Sequence, residues 1–294
     1  MSVPAGVTLI DGGLGTLLRL AAPEEDRRLW PAEVLFEAPE TVVAAHRTYL
    51  KAGAQAITTN SYALADQRME TLLGRGADWE EALTRAGALA RQAAGAALVL
   101  GSLPPLAGSY RPDLVGAYDQ ILATYNEHVR VLGPHVDILL CETMTTAEEA
   151  RAAATAAQAA GKPVWVSWTL EEAPPARLRS GESLGAAWAA LEGLEIDAVL
   201  VNCTSPEAVA DAMPVLARFG PRFGGYANAF SAVPKGWRLA DGVAALGKRR
   251  DLTPEVYADH ALAWVAAGAS IIGGCCETGP EHIAELARRL ETPA

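Results

Sequence analysis

The sequence predicts a (β/α)8 barrel that forms one domain over residues 1–294. Three observations lead there: a length of 294 residues with no linker or break in composition, a steady alternation of short apolar runs with longer helical patterns, and eight members of each kind. At roughly 150 residues per domain the length allows two ordinary domains or one large barrel, and the unbroken alternation favours the barrel. A doubly wound open sheet is the alternative, since it also needs parallel strands with crossover helices.

The strand-like runs cover 7–11, 56–60, 97–101, 137–141, 163–169, 198–203, 223–228 and 270–274. Most are rich in Val, Ile and Leu and apolar on both faces, as strands of a buried parallel sheet are. Helical patterns fill 40–52, 78–94, 113–132, 146–160, 183–192, 206–218, 254–267 and 280–291, several of them opening on Pro or an acidic residue. Two Pro-containing loops, LPPLAGSYRP at 103–112 and EEAPPARLRSGES at 171–183, each follow a strand. In a barrel such loops lie on the C-terminal rim, where active sites form.

Composition narrows the function classes. Half of the residues are hydrophobic and 20% are charged, which is globular rather than disordered. The net charge of −11 and the lack of any basic run longer than Lys248-Arg249-Arg250 argue against a nucleic-acid partner. The N-terminal residues carry no basic segment ahead of an apolar block, so no secretory signal is expected and the protein is placed in the cytoplasm. The longest uncharged stretch, 261–276, falls short of the roughly 20 residues of a membrane helix and is interrupted by Gly268, Gly273 and Gly274, so no membrane span is expected. Cys141, Cys203, Cys275 and Cys276 are too few for a disulfide scaffold, which directs attention to metal binding.

The unusual residues cluster at strand C-termini: Asp11 in IDGGLGT, Asn60 in TTNSY, Glu142 in LLCETM, Cys203 in VNCT, and Cys275 with Cys276 in IIGGCCE. In a closed barrel these all meet at one mouth. Cys203, Cys275 and Cys276 then form a three-thiol site with an open coordination position, the arrangement of a catalytic zinc ion. Thiolate ligands suit activation of a substrate sulfur better than activation of water. Cys141 sits inside an apolar run and is expected in the core. Asp11 and Glu142 are suited to hold an ammonium group, and the Gly12-Gly13 amides to receive a carboxylate, which together describe an amino acid. Trp165 and Trp168 either pack in the core or place an indole face near the mouth for a sulfonium cation. The five histidines fall in helical patterns or at their ends, and none is expected in catalysis.

These segments resemble the homocysteine S-methyltransferase family over nearly the whole chain. The resemblance is carried by DGGLGT at 11–16, LW at 29–30, H-x-x-Y-x-x-A-G-A at 46–54, TTNSY at 58–62, D-x-x-L-C-E-T at 137–143, VNC at 201–203 and GGCCETGPEHI at 273–283. It implies a (β/α)8 barrel, Zn2+ held by Cys203, Cys275 and Cys276, and a homocysteine cradle that includes Asp11, Gly12 and Glu142, with Asn60 beside them. The implied reaction moves a methyl group from a small donor to the homocysteine thiolate, giving methionine. A sulfonium donor such as S-methylmethionine or S-adenosylmethionine fits best, with betaine as the alternative. A zinc- and thiol-binding relative without turnover, and a zinc hydrolase or lyase on the same barrel, are the competing functions. Three stretches depart from the family pattern: Glu277 after the paired cysteines, GSLPPLAGSYRPD after the third strand, and YANAF at 226–230.

Overall fold

A computed structural model describes residues 6–22, 30–65, 79–237 and 243–291. Its centre is an eight-stranded parallel sheet made of β1 (Thr8–Leu9), β2 (Ala56–Thr58), β3 (Leu98–Leu103), β4 (Ile138–Met144), β5 (Val164–Trp168), β6 (Ala198–Asn202), β7 (Arg222–Ala227) and β8 (Ile271–Gly274). The hydrogen-bonded order runs β1-β8-β7-β6-β5-β4-β3-β2, so the two ends of the list are neighbours in the chain. They meet through a bridge between Ile10 and Ala56 and through bonds from Gln55 N to Leu9 O (2.8 Å) and Asp11 N to Ala56 O (3.1 Å). The open-sheet alternative is thereby set aside, and the fold is the (β/α)8 barrel.

Around it lie α1 (Leu14–Leu20), α2 (Trp30–Glu37), α3 (Pro39–Lys51), α4 (Trp79–Ala94), α5 (Tyr118–Leu132), α6 (Ala147–Ala159), α7 (Leu184–Ala189), α8 (Pro206–Leu216), α9 (Pro254–Ala266) and α10 (Pro280–Glu291). Helix starts follow from local chemistry: Thr146, Ser183, Ser205 and Thr253 each accept a hydrogen bond from a backbone N–H in the first turn. Pro206 and Pro254 then occupy the first turn, where a missing N–H costs nothing.

Both strand faces are buried, which accounts for their apolar runs. Ile10, Leu100, Leu140, Trp165, Leu200 and Ile271 fill the barrel interior. Their sequence neighbours Val99, Leu139, Cys141, Val166 and Val199 pack outward against the helices. Cys141 is thus a core residue, as expected, and Trp165 and Trp168 are buried within the barrel and outside it respectively. Two features differ from the sequence expectation. α1 and α2 were not expected, and β4 continues past Cys141 through Glu142 to Met144, with a register irregularity between Cys141 and Met144. Among the described residues no helix is long and apolar enough to cross a membrane.

Candidate metal centre and substrate pocket

Cys203 is the first residue after β6 and takes a left-handed backbone, with φ at +52°. Cys275 and Cys276 directly follow β8 and are pinned beside β7, because Cys275 N donates to Ala227 O (3.0 Å) and Ala229 N donates to Cys276 O (3.0 Å). Gly274 lets the turn after β8 fold back on itself and on the turn after β1: a Cβ there would lie 2.1 Å from Thr278 Oγ1 and 3.3 Å from Gly12 Cα. The three sulfurs lie within 4.8 Å of one another, with Cys203 Sγ 3.0 Å from Cys275 Sγ and 3.7 Å from Cys276 Sγ. No other group of metal-ligating side chains of this kind occurs among the described residues.

These sulfurs fit a soft metal ion. Hydrogen bonds from Cys203 and Cys275 hold the Cys276 thiol well below the ordinary thiol range, whereas bonding to Cys203 and Cys276 pushes Cys275 well above it. Three thiolates this close repel one another, so their full deprotonation calls for a cation. Thiolates select zinc over magnesium or calcium.

The carboxylates form the other half of the mouth. Glu142 lies within β4 rather than after it, next to the strand's irregularity, and is 7% exposed. It accepts hydrogen bonds from Ser102 Oγ and, at 3.2 Å, from the Tyr226 hydroxyl. Burial pushes its carboxyl up to about 7. Asp11 accepts from Thr58 N (2.8 Å) and Thr58 Oγ1 (2.9 Å). Burial raises it to about 7 against those hydrogen bonds, with the Glu142 charge adding to the rise. Gly12 is sterically required: a Cβ would meet Thr278 O at 2.6 Å and Tyr49 Cε1 at 2.9 Å.

Two expectations need correction. The Gly13 amide does not receive a ligand carboxylate, because it donates to Thr278 O at 3.0 Å and so closes the turn after β1 onto the turn after β8. That leaves Gly12 as the amide of the pair that could serve. Asn60 lies beyond the end of β2, and its amide nitrogen donates to Pro31 O at 2.6 Å, so it also anchors the start of α2. The histidines lie on helices or at their ends, as their sequence patterns indicate. His46 is buried on α3, and burial pushes it down to about 4, which keeps it neutral.

Several residues at the site were not singled out in the sequence. Tyr110, Phe230, Val233, Trp237 and Leu246 form an apolar cluster against the thiols. The Tyr110 hydroxyl donates to Cys203 Sγ at 3.0 Å. Asn202, the residue before Cys203, accepts from Thr143 N (2.9 Å) and Ser167 Oγ (2.7 Å) and donates to Thr143 Oγ1 (2.8 Å), tying the ends of β4, β5 and β6 together. The signal for Tyr110 was its place in the long loop after β3; for Asn202 there was none beyond its neighbour.

A closed parallel barrel with a three-thiol centre and two buried carboxylates at the C-terminal mouth defines a metal-dependent enzyme that handles a thiol. Comparison with known proteins narrows the class. A family model described as homocysteine S-methyltransferase matches residues 8–290. The homocysteine S-methyltransferase of Escherichia coli K12 is 28% identical, with 96% of this chain and 95% of that protein covered. A selenocysteine methyltransferase from Astragalus bisulcatus is 25% identical, covering 97% and 92%. The crystal structure of the Escherichia coli homocysteine methyltransferase MmuM in its metallated form superimposes with a TM-score of 0.80 at 29% identity, covering 97% of each chain. Its apo form gives 0.74. The chain belongs to the homocysteine S-methyltransferase family.

Proposed function

We propose that this chain transfers a methyl group from a small sulfonium donor to the thiolate of homocysteine, giving methionine, with zinc as its cofactor. The observation that carries the reading is the meeting of three thiols from the ends of β6 and β8 within 4.8 Å, at the mouth that also holds Asp11 and Glu142. Cys203, Cys275 and Cys276 would hold the ion. When bound, zinc supplies a deprotonated, electron-rich acceptor sulfur at neutral pH, and three protein thiolates leave one position for it.

The rest of the chemistry belongs to the chain's own side chains. Asp11 and Glu142, once ionised, attract the acceptor's ammonium, and the Gly12 amide is placed for its carboxylate. The hydroxyls of Ser102 and Tyr226 hold Glu142 in its orientation without supplying a counter-charge. That charge is left to the substrate. On the donor side, Tyr110, Phe230 and Trp237 form an apolar cover that keeps water away from the thiols. In the transfer, the bond from carbon to the donor sulfonium breaks, the bond to the acceptor thiolate forms, and a neutral thioether leaves. Opposite charges cancel along this path, so an apolar roof lowers its barrier relative to water.

We place the protein in the cytoplasm, where a reducing environment keeps the thiols free, and treat residues 1–294 as one domain. Its partners are homocysteine and the methyl donor, with no call on nucleic acid or membrane. The test is zinc content by elemental analysis together with methionine formation from homocysteine, using S-methylmethionine, S-adenosylmethionine and betaine as donors. One zinc per chain with turnover supports the reading and names the donor. Zinc without turnover from any donor favours a binding protein, turnover without a thiol acceptor favours a hydrolase or lyase, and a metal-free protein under reducing conditions overturns the reading.

A further inference from the structure

The two long rim loops meet at one ligand. Tyr110, from the loop after β3, is 7% exposed, has a left-handed backbone with φ at +62°, and points its hydroxyl at Cys203 Sγ from 3.0 Å. A bulky aromatic residue seldom adopts that backbone, so surrounding contacts must hold it there. Arg179, from the loop after β5, lays its guanidinium 5.1 Å from the centre of the Tyr110 ring. The same Arg179 donates to Glu172 Oε1 at 2.8 Å. Glu172 Oε2 in turn accepts from Ser205 N (2.9 Å) and Thr204 Oγ1 (3.3 Å), the two residues after Cys203. The contacts thus close a ring: Cys203, Thr204 and Ser205, Glu172, Arg179, Tyr110, and back to Cys203.

We infer that Tyr110 is a positioning residue for the metal centre, donating a hydrogen bond from its hydroxyl to the Cys203 thiolate and held in place by the Arg179–Glu172 pair. The inference rests on the reading of Cys203 as a metal ligand. A hydrogen bond to a thiolate is stronger than one to a thiol, so the contact favours the deprotonated, metal-bound centre. It also draws charge from one sulfur of three, leaving the ligands inequivalent. The cation over the ring polarises the O–H bond and so strengthens the donation. Arg179 is suited to this use, since its side chain is 11% exposed and its Nε has no hydrogen-bond partner among the described residues.

The test is cobalt substitution of the full chain, read by the sulfur-to-cobalt charge-transfer absorption, with zinc affinity measured by competition against a chromophoric chelator. A hydrogen bond lowers the energy of the sulfur electrons. In Tyr110→Phe, which keeps the ring under Arg179, the band therefore moves to longer wavelength and zinc is held about tenfold more weakly. Arg179→Gln keeps the hydroxyl and gives a smaller shift in the same direction, which Arg179→Lys partly restores. An unchanged band in Tyr110→Phe overturns the inference and leaves Tyr110 as packing. Absence of the band from the unsubstituted protein overturns the metal assignment itself, and the inference with it.

Discussion

The two halves of the mouth are built on opposite principles. On the carboxylate side, Glu142 and Asp11 are buried but supplied with hydrogen bonds from Ser102, Tyr226 and Thr58, so their geometry is complete without a ligand. On the thiol side, the sulfurs hydrogen-bond to one another and to Tyr110 beneath an apolar cover, and the Arg19 charge that favours the Cys276 thiolate is one against the three they would carry together. The first half is preorganised by the protein. The second is completed by an ion, which makes the two separable by experiment.

The largest expected effect is on the thiol side. Cys275→Ala should remove zinc and methyl transfer together, measured by metal content and turnover on the same sample, while the barrel stays folded. Full activity in a zinc-free variant would break the division just drawn. On the carboxylate side, Glu142→Gln should leave zinc in place and raise the KM for homocysteine by roughly 30-fold, the equivalent of about 2 kcal/mol for a hydrogen bond to a charged group. Loss of zinc in that variant would show that the halves are coupled.

The pH dependence sharpens the same contrast. Glu142 and Asp11 are both raised to about 7 by burial, so below that pH the neutral acids predominate and the ammonium loses its counter-charge. Acceptor affinity should therefore fall as pH drops below about 7, by at most tenfold per unit for each group, and rise to a plateau above it. Calorimetric titration of the zinc-loaded protein measures this, and Glu142→Gln should flatten the profile. The smallest functional effect belongs to Asn202→Ala. It strips three hydrogen bonds from buried partners. About 1–3 kcal/mol of stability should be lost in denaturant unfolding, with zinc binding largely kept.

Much of this was legible in the sequence because the barrel demands it. Strands buried on both faces leave apolar runs such as VWVSW and AVLVN, and the C-terminal ends of those runs located the cysteines and acids. Helix α1 was hidden because it begins inside the Gly-rich turn that follows β1, where glycine reads as loop. The path of β4 was hidden too: its irregularity at Glu142 and the left-handed Thr143, at φ +62°, arise from pairing with β5 and the grip of Asn202, not from local propensity. Tyr110 and Arg179 could be assigned to suggestive loops but not to each other, since their meeting depends on how two loops distant in sequence fold over one rim.

The seam of the barrel has a consequence for motion. β1 pairs with β8 at only two positions and reaches β2 through one bridge and a few hydrogen bonds, whereas β4, β5 and β6 are joined over four or more residues. Deuterium should accordingly enter the amides around Leu9 and Ile57 ahead of those around Leu140 and Val199, as small openings run along the thinnest part of the circle. Asp11 clasps Thr58 across the end of that seam, so one side chain ties the pocket proposed for the amino acid to the thinnest part of the circle.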